Sequence, residues 1–190
     1  MNLPPPNKFL QSLSKGDFEL LRPHLRDVKL VHTKVLFDQG DIIQHVYFPY
    51  SGVISFVVPL SDGVMIEAGM VGRDGVAGTP AALDGAKSLN RAVVQVPGEA
   101  FIIDLPHAKA AVTASRTLRT KLYQTDQLLL AQAQQSAACN AAHDVEERLC
   151  RWILRTRDVA GSDKLELTQE FISQMLGVRR TSVTLAARHL

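Results

Sequence analysis

Between Pro106 and Gly161 the chain holds neither glycine nor proline. So long a run without a turn former is compatible with little except helix. Ser115 to about Cys139, rich in leucine, alanine and glutamine, reads as one long helix. Within it Leu118, Leu122, Thr125, Leu129, Gln132, Ser136 and Cys139 step by four and three, which makes a heptad seam. Leu128, Ala131, Gln135 and Ala138 form a parallel seam beside it. A helix apolar on more than one face has more to bury than its own domain offers. Packing of the first seam against a second copy of the chain is therefore expected, with a core helix in a monomer as the plainer alternative. Its polar members Thr125, Gln132 and Ser136 weaken that seam as a free-standing coiled coil. A break at Asn140-Ala141-Ala142-His143 leads into a further helix. There Asp144 and Glu147 have the spacing of a capping box, and Leu149, Trp152 and Ile153 supply an apolar face. Val159 to Asp163 ends it.

Upstream the pattern is different. Ser14 is placed to cap a short amphipathic helix carrying Phe18, Leu21 and Leu25. From about Val28 to Asp104, short runs rich in valine, isoleucine and phenylalanine recur: Ile42 to Phe48, Val53 to Val58, Ala92 to Val96 and Phe101 to Ile103. Asp38-Gln39-Gly40-Asp41, Ser51-Gly52, Asp62-Gly63, Arg73-Asp74-Gly75 and Pro97-Gly98 punctuate them. Asp62-Gly63 suits a type I′ hairpin turn, which needs positive φ at both central residues. Many short strands at close spacing point to a closed or two-layered antiparallel roll. Segment 79–91 is polar and rich in alanine and glycine, and is expected to interrupt the roll as a short helix or loop.

The C-terminal segment from Leu167 to Leu185 has the grammar of a helix-turn-helix. Thr168 caps a first helix whose inward face is Phe171, Ile172, Met175 and Leu176. Gly177 supplies the left-handed residue that ends it, Val178 plugs the turn, and a second helix follows with Val183 and Ala187 inward. Arg179, Arg180, Thr181, Ser182 and Thr184 gather near the start of that second helix, where a recognition helix meets base edges. A net charge of +2 does not by itself imply a nucleic-acid partner, but no carboxylate follows Glu170, so the local field stays positive. A generic helical hairpin with a solvated arginine pair is the plainer reading. The expected DNA contacts are Thr168, Gln169, Arg179, Arg180, Thr181, Ser182, Thr184 and Arg188.

Composition narrows the setting. Hydrophobic residues at 46% and charged residues at 21% describe an ordinary globular chain rather than a disordered or fibrous one. The start, Met1 to Pro6, lacks the pattern of a signal peptide, and the longest apolar stretch, Val53 to Leu60, is too short to cross a membrane. Cys139 and Cys150 fit reduced thiols. A soluble, cytoplasmic protein with no membrane partner is expected.

With these parts in this order the chain resembles the Crp/Fnr family of bacterial transcription regulators over nearly its whole length. The resemblance rests on Gln39-Gly40-Asp41, on the hairpin Phe48-Pro49-Tyr50-Ser51-Gly52-Val53-Ile54 and, most specifically, on Thr168 to Val183. It implies an α+β fold: a cyclic-nucleotide-binding-like antiparallel β-roll as sensor domain over 1–114, a dimerisation helix over 115–140, and a DNA-binding helix-turn-helix of winged-helix type over 141–190. Family members continue past the position of Leu190 into a two-stranded wing, so the domain is expected without it. The resemblance further implies a homodimer on a two-fold operator in double-stranded DNA, with the seam Leu118, Leu122, Thr125, Leu129, Gln132 and Ser136 at the interface and RNA polymerase as a further partner.

The departures from the family pattern shape the remaining expectations. Nucleotide-binding members open a short helix with Gly-Glu, the acid holding the ribose hydroxyl, and follow it with Arg-Ser/Thr-Ala, the arginine holding the phosphate. Here the stretches read Val76-Ala77-Gly78-Thr79-Pro80 and Leu89-Asn90-Arg91-Ala92. Thr79 stands where the acid belongs. Arg91 is displaced by about one residue, which on a strand turns a side chain to the opposite face. This argues against cyclic AMP. Glu67, Gly78, Thr79 and Arg91 remain the effector-pocket candidates, with Glu67 as a solvent-facing strand residue the plainer reading. No cysteine precedes Cys139 to hold an iron–sulfur cluster, and the six histidines lack ligand spacing, so neither haem nor another metal or cofactor is expected. The family's Arg-Glu-Thr-Val-x-Arg appears as Arg180-Thr181-Ser182-Val183-Thr184-Leu185. That implies a different operator, with Arg180 the base reader and Arg179 nearer phosphate. A ligand sensor acting through protein contacts without DNA is the alternative. An enzyme on a β-barrel such as a cupin is rejected: the roll has no His-x-His pair, and Glu67, Asp74 and Glu99 have no motif around them.

Overall fold

The computed structural model describes residues 6–61, 64–85 and 87–189. The apolar runs form short strands: β1 (Arg26–Leu30), β2 (Val35–Phe37), β3 (His45–Pro49), β4 (Val53–Pro59), β5 (Met65–Val71), β6 (Arg91–Val96) and β7 (Gly98–Asp104). They pair antiparallel in two sheets, β1-β7-β3 and β2-β6-β4-β5. The sheets face each other over a core of Leu30, Tyr47, Ile54, Phe56, Val94 and Ala100. This is the roll, in a chain of α+β class. β4 and β5 are antiparallel neighbours, with Pro59 opposite Met65; the Asp62-Gly63 turn between them lies outside the described residues. Segment 79–91 contains the short helix α3 (Thr79–Ala82), opened by Gly78 in the left-handed region.

On the outside of the β1-β7-β3 sheet lie α1 (Lys8–Gln11), α2 (Lys15–Leu21), α4 (Leu105–Ala114) and the start of α5 (Arg116–Ala142), sharing a core with Phe9, Leu10, Phe48 and Ile103. Two buried polar residues pin this layer. Asn7 donates to the carbonyls of Pro49 (2.7 Å) and Gly75 (3.0 Å), while its own carbonyl oxygen caps α1. Asp17 accepts the hydroxyls of Ser115 and Thr117, and the Ser115 bond does most to hold its carboxyl below the usual range. Ser115 also caps α5, accepting from Leu118 N at 3.1 Å. This long helix runs through Asn140, Ala141 and Ala142, so the expected break narrows to His143 and the cap Asp144, both extended. Nothing in Asn-Ala-Ala opposes helix; only the capping box of Asp144 and Glu147, which opens α6 (Val145–Ala160), forces a new start.

Three further helices close the chain: α6, α7 (Gln169–Leu176) and α8 (Arg180–Ala186). They do not stand apart from the roll. Leu149, Trp152, Val159, Met175, Leu176 and Val183 form one buried cluster with Val53, Val57, Met70 and Val93 of the roll. Each such burial contributes about 1.5–3 kcal/mol, enough together to hold the helices in place. The two surfaces approach closely at Gly72, where the next residue, Arg73, donates its backbone N–H to Val159 O at 3.1 Å. A β-carbon on Gly72 would lie 2.4 Å from that same oxygen. Gly72→Ala must therefore push the end of α6 away. Overpacking against backbone costs about 1–3 kcal/mol, so a fall of several degrees in Tm and faster proteolysis near His143 are expected. Unchanged melting and cleavage would show that α6 does not rest there.

Candidate nucleic-acid interface

Each part of the helix-turn-helix has a local cause. The Thr168 hydroxyl accepts from Phe171 N at 3.1 Å and starts α7. Gly177, at φ +63, ends it, and a β-carbon there would meet Ile66 of β5 at 2.8 Å, so conformation and space both require glycine. Val178 follows and α8 begins. Met175, Leu176 and Val183 are buried inward as expected, with Phe171 and Ile172 half-buried. Ala187 corrects the expectation: it is exposed just past the end of α8, and Ala186, three residues after Val183, takes the inward place. Thr184 donates to Gln169 Oε1 at 2.7 Å and locks the two helix starts together.

Thr168, Gln169, Arg179, Arg180, Thr181 and Arg188 are exposed; Ser182 and Thr184 are half-buried. None of Arg179, Arg180 and Arg188 makes an ion pair among the described residues, whereas Arg155 pairs with Asp74 and Arg157 with Asp163. Arg179, Arg180 and Ser182 border an open cleft of about 870 Å³, whose opposite wall carries Val64 and Met65 of the roll. The basic start of α8 thus faces solvent on one side and its own roll on the other.

The contact between α6 and the roll is built around a ring of hydrogen bonds. Trp152 Nε1 donates to Glu67 Oε1 at 3.1 Å, and Glu67 Oε2 lies 2.7 Å from Ser55 Oγ. Ser55 is bonded in turn to Gln95 Oε1, Gln95 Nε2 donates to Thr156 Oγ1 at 3.4 Å, and Thr156 donates to Trp152 O at 2.8 Å. Ser55, Gln95 and Thr156 are fully buried. Proton counting adds a constraint. Ser55 has one hydroxyl proton and two acceptors, Gln95 Oε1 and Glu67 Oε2, so with the Gln95 amide in this orientation the ring is complete when Glu67 carries a proton of its own. The electrostatics agree: burial pushes the Glu67 carboxyl up to about 7, against the smaller opposing pull of Ser55, Trp152, Arg151 and Arg155. Glu67 is therefore not the solvent-facing strand residue of the plainer reading. The signal available in the sequence was Ser55 and Gln95, two polar residues inside runs otherwise written for a buried strand.

The effector-pocket candidates are dispersed. Gly78 and Thr79 line a cavity inside the roll, Glu67 belongs to the ring, and Arg91 forms a paired ion bridge with Asp38 (Nη2 to Oδ2, 2.6 Å). The expected dimer seam also faces elsewhere. Leu118 and Leu122 lie in the core, Leu129 packs against the roll, Gln132 accepts from Met70 N and donates to Met70 O (3.2 Å), and Ser136 is buried, accepting from Arg151. Thr125 bonds back to Lys121 O. That seam is thus the inner face of α5, because the roll supplies the apolar cover that a partner was expected to give. The parallel seam points outward, with Leu128 72% exposed.

Residues 147–190 match the family model of the Crp-like helix-turn-helix domain. The whole chain is similar in structure to the c-di-GMP responsive global regulator CLP of Xanthomonas campestris (14% identity, covering 93% of this chain and 91% of that one, TM-score 0.72). It is similar also to FixK2 from Bradyrhizobium japonicum (17% identity, 87% and 84% covered, TM-score 0.75). A third likeness is to a transcriptional regulator assigned to the Crp/Fnr family from Eubacterium rectale (12% identity, 97% and 86% covered, TM-score 0.75). The chain has the Crp/Fnr fold. At these identities the structural likeness is one of fold, and the sequence has no match among curated proteins. Among the described residues no helix is long and apolar enough to cross a membrane.

The Crp/Fnr fold here carries a proton-linked contact. Undocked from α6, Glu67 returns toward the ordinary 4.5; docked, it titrates near 7. The docked state holds the extra proton, so docking is at full strength below about 4.5, weakens as pH rises from there to about 7, and is constant above. Trp152 is the chain's single tryptophan and reports directly on this contact. The urea midpoint of its red shift is expected to fall across that interval, and Glu67→Gln to flatten the titration. A Gln variant that titrates like the parent would remove Glu67 from the linkage.

Proposed function

We propose that the chain is a sequence-specific transcription regulator of the Crp/Fnr type that binds a two-fold operator as a homodimer, under control of a signal received by the roll. The carrying observation is the basic edge around α8: Arg179 and Arg180 at its start and Arg188 just past its end, exposed and without ion pairs among the described residues, on a helix free of carboxylates behind a capped and glycine-terminated α7. Arginine there offers two parallel donors to guanine O6 and N7, and a neighbouring cation or hydroxyl fixes the phosphates.

Dimerisation is supported by the outward face of α5. From Gln127 to Ala142 the helix carries no charge at all, and Tyr123, Leu128 and Leu130 are exposed on it. A solvent-facing helix surface is normally charged. Leu128, Ala131, Gln135 and Ala138 repeat by three and four, and a strip of that kind is complementary to itself about a two-fold axis. The reading assigns control to a population shift. The docked helix-turn-helix has its basic edge across a cleft from its own roll, and release at His143 lets the two recognition helices of a dimer take the spacing of successive major grooves. RNA polymerase is the further partner this reading implies, and no metal or haem is needed for it.

Selection from random duplex DNA with the full chain is expected to recover a two-fold site. Arg180→Ala should cost about 1–3 kcal/mol of base discrimination, whereas Arg179→Ala should weaken all sequences alike and reduce the salt slope by about one. A dimer that selects no sequence would overturn the reading in favour of a sensor acting through protein contacts. Separately, Leu128→Glu with Ala131→Glu is expected to give a monomer by sedimentation while leaving Tm nearly unchanged, since neither side chain is buried in the protomer. A dimer surviving both changes would place the interface elsewhere.

A further inference from the structure

We infer that the cavity inside the roll is a binding site for an uncharged, apolar small molecule, and that this molecule, not a nucleotide, is the signal the roll receives. The role as signal rests on the regulator reading; the site itself does not.

The cavity measures about 310 Å³ and is walled by Phe37, Ile43, Phe56, Pro80, Leu89 and Leu129. That volume suits a ligand of roughly 10–20 non-hydrogen atoms. At its edge Leu89 is 86% exposed, the most exposed large apolar side chain among the described residues, and an apolar occupant would give it cover.

The polar groups of the wall decide the ligand's class. Thr79 donates its hydroxyl to Asp126, and Ser88 donates to Asn90 O at 2.6 Å, so both are satisfied internally. The guanidinium nearest in sequence, Arg91, is held by both carboxylate oxygens of Asp38 and does not line the cavity. Lys87 is the single cation among the lining residues and is exposed. A phosphate placed inside would lose its water with only the exposed ammonium of Lys87 to pair with, and a ribose would find no carboxylate among the lining residues. Burying a charge on such terms costs far more than apolar contact returns. An uncharged apolar body meets no such penalty.

The wall also supplies a route outward. Leu129 belongs to α5, and its neighbour Leu128 belongs to the outward seam. A molecule pressing on Leu129 shifts α5 against the roll, and with it the surface offered to the second copy. Gln132, one turn on, bonds both the N–H and the carbonyl of Met70, so the same shift reaches β5, the strand that carries Glu67.

The test uses the full chain and Prodan, an uncharged naphthalene fluorophore of this size. Saturable binding of one probe per chain with a blue-shifted emission is expected, displaced by unlabelled naphthalene and not by cyclic AMP. Leu129→Trp, which fills the cavity, should weaken binding by about tenfold or more, the loss expected when apolar contact of about 1.4 kcal/mol is removed. Because Leu129 is partly buried, Leu89→Asp at the exposed mouth provides a second variant whose folding is not at issue. Absence of saturable binding, indifference to both variants, or displacement by cyclic AMP at equal potency would overturn the inference. Binding to the selected duplex should change by about fivefold or more when probe is bound. Probe binding in a chain that selects no DNA would uphold the site and overturn the regulator reading; DNA selection without probe binding would do the reverse.

Discussion

The position of the helix-turn-helix depends on two roll residues that water cannot reach. Ser55 and Gln95 lie within β4 and β6, fully buried, and the strands on either side offer them only part of the bonding they need. An unsatisfied buried polar group costs about 1–3 kcal/mol. Thr156 and Trp152 of α6 complete the set, and Glu67 joins the two ends. Apolar packing around Val53, Met70 and Leu149 would tolerate sliding of one surface on the other. The ring does not, since each bond has a fixed partner. Hydrophobic burial thus supplies most of the adhesion, and the ring sets the register.

A contact of this kind is also poised to be undone. Burial favours the neutral form of its central carboxyl, which removes part of its stability at the pH where carboxylates are ordinarily charged. Nearby, Nε of Arg73, Arg148 and Arg151 is buried without a partner among the described residues. Arg73 and Arg151 sit at the roll–helix boundary, Arg151 also donating to Ser136 of α5, whereas Arg148 donates to Leu176 O between α6 and α7. Release returns the first two donors to water. The apolar cluster favours the docked state, and desolvated arginines and a forced proton oppose it. Opposed terms of similar size are what a two-state element requires.

How much of this was legible in the sequence follows from how local each signal is. The capping box at Asp144, the caps at Ser14 and Thr168, and the left-handed Gly177 are decided by neighbours within a few residues, and all appear where spacing placed them. The roll was legible for a related reason, since turn chemistry and short apolar runs are local. The facing of α5 was not. Heptad spacing shows that a helix has two apolar seams; it cannot show which one its own domain covers, because that depends on where β5 and α4 arrive in space. Leu118 and Leu129 therefore read as partner-facing and are instead claimed by the roll. Glu67 failed to stand out for the same reason: its partner Trp152 is distant in sequence and nothing around either residue is unusual.

The two seams of α5 together explain why one helix suffices to connect three surfaces. Its inner seam is fixed by Leu118 and Leu122 in the core near its start, by Gln132 to Met70 of the roll and by Ser136 to Arg151 of α6, but between them Leu129 borders the cavity. A helix is stiff along its axis, so an occupant at Leu129 cannot be absorbed locally; it must tilt the segment from Gln127 to Ala142. That segment carries the charge-free outward face and ends one residue before the extended His143, from which α6 departs. A tilt there alters the pairing of two copies and the direction in which α6 leaves the helix. Glu67 and Trp152 then lose their alignment without any ligand touching them. Coupling between cavity, second copy and DNA-facing helix needs no separate wire, because all three are boundaries of the same four turns of helix.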